Sequence, residues 1–226
     1  MGKITGNTRL DYIDIAKGLG MMTIVWGHIV HLGWSNMMVY AFHIPLFFFM
    51  SGMMFNSDKY PSVWGFIKRR TKTLLLPYLV FSFITWILWV GMRVVSNDAT
   101  DYWYPLLQTF IAQGSSGFLR HNIPLWFVTS LFVVEVLFYL INKLSQTGTI
   151  VSLLICSLLG DYMIRGGYLE VFRLLPWSIE GAMSSILFYA AGYGLIKKFG
   201  HQQLINCVIR NKGRYFAAGV TLTILL

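Results

Sequence analysis

The chain has 226 residues, 56% hydrophobic and only 12% charged, with a formal net charge of +9. A soluble domain carries about 25% charged residues. This composition, with a mean hydropathy of +0.60, excludes an ordinary soluble enzyme and points to an integral membrane protein. The positive balance invites a nucleic-acid reading. The basic residues, however, sit between apolar runs, where they set the orientation of a membrane protein, so no nucleic-acid partner is expected.

The apolar runs are continuous rather than alternating, which favours helices over a β-barrel. Spans are predicted at about 13–33, 38–56, 73–95, 124–141, 148–164 and 177–196, with a further start at 215–226. The fold class is therefore all-α, a polytopic transmembrane helix bundle of about six or seven spans. Residues 1–12 are polar and no small-residue cleavage site follows, so no cleavable signal peptide is predicted. Of the 18 Lys and Arg, all but Arg93, Arg120, Arg165 and Arg173 fall on one side of this topology. The positive-inside rule makes that side, and the N-terminus, cytoplasmic. No repeat, low-complexity tract or soluble second domain interrupts residues 1–226, which read as one domain. The run from Tyr215 to Leu226 is shorter than the roughly 20 residues a span needs, so the bundle is expected to be incomplete at its C-terminus.

The first span, Asp11 to His31, is the most informative stretch. It carries Asp14, Lys17, His28 and His31 within otherwise apolar sequence. At about 100° per residue, Lys17 and His28 lie within about 20° of one helix face, and Asp14 and His31 within about 40° of Lys17. Charged and ionisable groups are costly in hydrocarbon, so such a stripe faces a protein interior or a water-filled site. The rise from Lys17 to His28 is roughly 16 Å, which sets a cation near the inner leaflet and an imidazole past the middle. His28 suits a general base or a nucleophile; the plainer reading is a histidine bonded to a neighbouring helix. Lys17 and Asp14 either pair at the inner interface, with Lys17 snorkelling, or hold an anionic donor there.

The second span opens near His43 and Pro45, the proline being placed in a helix's first turn, and closes near Ser51 and Gly52. Lys68, Arg69, Arg70 and Lys72 follow, immediately before the third span. They form either a topogenic, lipid-facing patch or a phosphate-binding cluster. The long outer connection 96–123 carries Tyr102, Trp103 and Tyr104 as an interfacial belt, and 113–117 reads as flexible loop. Asn122 to Pro124 starts the fourth span, with Trp126 near its outer end. Glu135 within it is either an isolated buried acid or the partner of a basic residue on another helix. A short amphipathic segment covers 165–176. In the sixth span Gly181 and Ser185, and Ala190 and Gly194, set small residues four apart for close helix packing. Cys156 lies in a span and Cys207 in a basic loop, giving neither a disulfide framework nor a metal site. His28, His31 and His43 all lie toward the outer side, but without a nearby carboxylate, so no metal is expected. No GxSxG elbow, Gly-rich phosphate loop or CxxC is present. Intramembrane Asp14 and His28 also fit a proton relay. The alternative reading is thus a proton-linked transporter of a small anion or sugar, although no inverted repeat supports it.

Together these landmarks resemble the membrane-bound acyltransferase 3 family, most closely its fucose 4-O-acetylase-like branch. The matching residues are Tyr12 to Gly18 (YIDIAKG), Gly27-His28, Phe42 to Phe49 (FHIPLFFF), Ser51-Gly52 and Pro77-Tyr78 after a basic run. Trp126 and Phe188 to Gly192 (FYAAG) are weaker landmarks. The family's basic residue and His separated by ten residues fall on Lys17 and His28. The resemblance implies catalysis by His28, with Asp14 beside it, and an acyl-donor site at Lys17, Arg69, Arg70 and Lys72. The family's second Arg before the third span is replaced here by Lys72, which keeps the charge but loses the planar fork. His31, His43 and Trp126 would lie on the acceptor side. The implied reaction is O-acyl transfer, chiefly O-acetyl transfer, from cytoplasmic acetyl-CoA to a hydroxyl of a sugar or cell-surface polysaccharide. Acyl-CoA is a co-substrate, and no permanently bound cofactor is expected. The implied site is a bacterial inner membrane. Family members have more spans, so the resemblance too implies missing C-terminal helices.

Overall fold

A computed structural model describes residues 10–29, 33–97, 101–114, 119, 121–165 and 175–211, and only the backbone of 27–29 and 33–42. Among the described residues the fold is all-helical, as expected. Its helices are α1 (Asp11–Ile29), α2 (Gly33–Met53), α3 (Val63–Arg70), α4 (Leu76–Val95), α5 (Trp103–Ile111), α6 (Trp126–Ile141), α7 (Gln146–Arg165) and α8 (Ile179–Arg210). Among the described residues, four helical stretches are long and apolar enough to cross a membrane: Val63–Val95, Ile123–Ile141, Gln146–Arg165 and Pro176–Arg210. Helices α1 and α2 have 19 and 21 residues, a length that at about 1.5 Å per residue approaches a hydrocarbon core. The expected run from 215 and the amphipathic stretch 166–174 lie outside the described residues.

Leu79, Val80, Phe83, Ile87 and Leu88 of α4 and Leu154, Ile155 and Leu158 of α7 are exposed. A continuous apolar belt of this kind is tolerated against lipid rather than water. The interior is aromatic. Phe55, just past α2, meets Phe66, Phe138, Tyr139, Tyr189 and Tyr193 with ring centroids 5.1 to 6.5 Å apart, all at steep angles. Such edge-to-face contacts suit the ring quadrupole. They tie α2, α3, α6 and α8 together at the end of the bundle where Asp11, Met53, Val63 and Ile141 lie.

Helix α8 packs closely on α2 and α7 through glycine. A Cβ on Gly52 would overlap the Tyr189 carbonyl, one on Gly192 the Phe49 carbonyl, and one on Gly160 the Ser184 backbone nitrogen. The expected small-residue pairs are not these contacts: Gly194 has open space beside it, and Gly181 lies at ordinary distance from Trp126. Four-residue spacing identifies a stripe but not which stripe meets a neighbour.

Several local expectations are corrected. Pro45 lies inside α2, not in its first turn, because the helix begins at Gly33. In a membrane bundle neighbouring helices make such a proline tolerable. The basic run does not precede the third span; it lies on its helix, which starts at Val63. Gln113 is not in a loose loop but buried, its Nε2 donating to the Leu175 carbonyl at 3.2 Å. Cys207 sits on the last turns of α8 rather than in a loop, beyond Gly200, whose φ of +70° breaks the helix.

Candidate functional site

Helices α3 and α4 are joined by a π-helical stretch, Thr71–Leu75. Pro77 explains it, since it has no N–H for the Thr73 carbonyl and its ring crowds that oxygen. The π turn inserts one residue into the helical count. The buried face of α4 is Tyr78, Ser82 and Trp89. In an unbroken helix that face would continue back through Thr71 and Ile67, at about 100° per residue. The inserted residue moves Arg70 and Phe66 onto it instead. Phe66 is accordingly fully buried, whereas Arg69 and Lys72 are exposed.

Arg70 meets Glu135 of α6, with Nε 2.9 Å from Oε2 and side-chain exposures of 23% and 5%. The two atoms are close without the alignment of a hydrogen bond, so this is an ion pair rather than a directed bond. One turn toward the bundle end, Phe66 stacks on Tyr139 at 4.3 Å and 7°, and Tyr139 Oη donates to the Tyr60 carbonyl at 2.7 Å. Residues 66 and 70 of α3 thus face 139 and 135 of α6 as two rungs of an antiparallel ladder. The Arg70 guanidinium also lies 5.4 Å from the centre of the Phe66 ring, a cation–π distance.

Lys17 joins this group from α1. Its charge acts on Glu135 alongside that of Arg70, and its Nζ donates to Met54 Sδ at 3.3 Å. Tyr189 of α8 is buried within electrostatic reach of both Glu135 and Arg70, and its hydroxyl has no hydrogen-bond partner among the described residues. Four helices therefore bring two cations, one carboxylate and one phenol to one end of the bundle.

A second polar cluster lies at the other end. Ser178 Oγ donates to Gln113 Oε1 at 2.9 Å and accepts from the Gly114 N–H at 2.8 Å. Trp126 heads α6 beside it; a Cβ on Gly114 would stand 2.8 Å from the indole. Ala112, Trp177 and Ser178 all adopt left-handed backbone, with φ of 51°, 60° and 49°. That conformation is strained for residues with a Cβ, and the hydrogen bonds around Ser178 hold it.

The expected site residues are thus divided. Arg70 pairs with Glu135, and Lys17 lies within electrostatic reach of it; Arg69 and Lys72 remain on the outer surface of their helix. Asp14 is exposed on α1 and His43 is buried on α2. Trp126 is remote from the charges, at the opposite end of α6. His28 lies on α1 toward that same end, but its side chain, like all of His31, lies outside the described residues. Sequence reasoning did not single out Phe66 or Tyr189. Phe66 precedes the predicted start of its span, and Tyr189 reads as one more apolar position within FYAAG.

Helices that cross a membrane with a buried charge cluster between them define a multi-pass membrane protein with a polar internal site. The sequence pattern of the family described as "Acyltransferase domain", acyltransferase 3, matches residues 10–225. The chain belongs to that family, and is a membrane acyltransferase by that membership. The transporter alternative is not favoured. No curated protein and no solved structure matches the chain.

Proposed function

We propose that the chain is an O-acetyltransferase of the fucose 4-O-acetylase-like branch, acting in a bacterial cell membrane with its N-terminus in the cytoplasm. Acetyl-CoA enters from the cytoplasmic side, its phosphates held by Lys17 and Arg70 with Arg69 and Lys72 at the rim. The pantetheine arm runs along α1 toward His28. His28, with Asp14 on the same helix, takes the proton of an acceptor hydroxyl on a sugar or polysaccharide held near Trp126, His31 and His43. The alkoxide attacks the thioester carbonyl, the carbon–sulfur bond breaks, and the departing thiolate takes the proton back from His28. The observation that supports this reading is that Lys17, eleven residues before His28 on one helix, lies within electrostatic reach of Glu135, the carboxylate that pairs with Arg70 of another helix.

The test is incubation of membranes holding the protein with radiolabelled acetyl-CoA and candidate glycans. Wild type is expected to label the glycan, and His28→Ala to insert equally well and label nothing. Equal labelling by the two proteins refutes the mechanism.

A further inference from the structure

We infer that Glu135 is a positioning residue for the acyl donor: it aims Arg70 at the donor's phosphates without itself touching the reacting atoms. The inference rests on the proposed acetyl-CoA reading and extends it to a residue outside the basic cluster.

A buried ion pair is a poor device for stability, because desolvating two charges offsets most of their attraction. Inside a membrane the cost is higher still. Glu135 nevertheless sits 4% exposed in the centre of an aromatic core. Arg70 of α3 pairs with it directly, and the charge of Lys17 on α1 acts on it from further away.

The contact geometry fits aiming rather than sealing. Glu135 takes the Nε side of the guanidinium, and that nitrogen is fully buried. Arg70 still keeps 23% of its side-chain surface exposed, and this exposure belongs to the rest of the side chain. Phe66 fixes the plane from one side, and its stack on Tyr139 locks the two helices in register. An arginine held by one edge and one face presents its remaining N–H groups in a set direction, as bidentate phosphate recognition requires. The π turn at Thr71–Leu75 is the backbone feature that delivers Arg70 to this position.

The test compares two thioester donors: acetyl-CoA, which carries phosphates, and S-acetyl-N-acetylcysteamine, which carries none. For Glu135→Gln the KM for acetyl-CoA is expected to rise about tenfold, the effect of losing one charge-assisted contact, with kcat changed less than about twofold. The loss of kcat/KM with acetyl-CoA is expected to exceed the loss with the phosphate-free donor by at least about fivefold. Equal losses on the two donors, or an unchanged KM, overturn the inference. Glu135→Asp keeps the buried charge and covers the case in which Glu135→Gln does not fold. It is expected to raise the acetyl-CoA KM by about two- to fivefold, again selectively over the phosphate-free donor; an unchanged KM or equal losses on both donors overturn the inference here too. If wild type transfers acetyl from neither donor, the proposed function fails rather than the role of Glu135.

Discussion

Replacing Gly192 with alanine tests the packing that holds the charge cluster. The new methyl carbon would stand 2.9 Å from the carbonyl carbon of Phe49, 3.1 Å from the amide nitrogen of Met53, and in overlap with the Phe49 oxygen. Carbon atoms in contact need about 3.5 Å, and every atom in the way is backbone. No rotamer change relieves the clash, so α2 and α8 must separate locally by more than about 0.6 Å. Overpacking of this kind costs about 1–3 kcal/mol. The alanine recovers about 1 kcal/mol of helix propensity, leaving a net loss of up to about 2 kcal/mol. The control is Gly194→Ala, on the same helix but with nothing within 4 Å of the new methyl, where only the propensity gain of about 0.5–1 kcal/mol remains. Thermal unfolding of both variants in the same detergent is the assay, with Gly192→Ala expected to melt below wild type and Gly194→Ala at or above it. Equal melting temperatures for the two would refute the close approach of α2 to α8.

At the opposite end, Ser178→Ala loses hydrogen bonds to Gln113 and Gly114 while keeping the left-handed backbone, and is expected to cost about 2 kcal/mol. Ser178→Gly loses the same bonds but relieves about 1 kcal/mol of backbone strain, so it should melt higher than the alanine variant; the reverse order would show that the strain is absent. Stability should also fall in mild acid through His121, half-buried outside the spans with Nε2 3.4 Å from Thr109 Oγ1. Burial holds its imidazole below the ordinary value of 6.5. Well above pH 6.5 the group is neutral in folded and unfolded chains alike. As pH falls below that value, the unfolded chain takes a proton that the folded chain resists, and stability declines by at most about 1.4 kcal/mol per pH unit. Melting curves from pH 7.5 to 5 check this, and His121→Gln is expected to flatten the decline.

Composition and hydropathy were enough to establish a helical membrane bundle, because a bilayer permits few other backbones. The ionisable residues Asp14, Lys17 and His28 stand out in the sequence because each is costly in an apolar helix. The start of α6 at Asn122 to Trp126, and the burial of Glu135 within it, followed from the same patterning. Register and partnership were not legible. Counting at 100° per residue through KRRTK puts Arg70 off the buried face, and only the π turn, next to Pro77, restores it. Which of several glycines meets a neighbouring carbonyl depends on the crossing of α2, α7 and α8, which no single helix encodes. The chain alone thus determined which residues carry charge into the membrane, because that depends on local chemistry. The tertiary structure decided that Arg70 rather than Arg69 or Lys72 turns inward, and that it pairs with Glu135 within electrostatic reach of Lys17, because those relations depend on how separate helices pack.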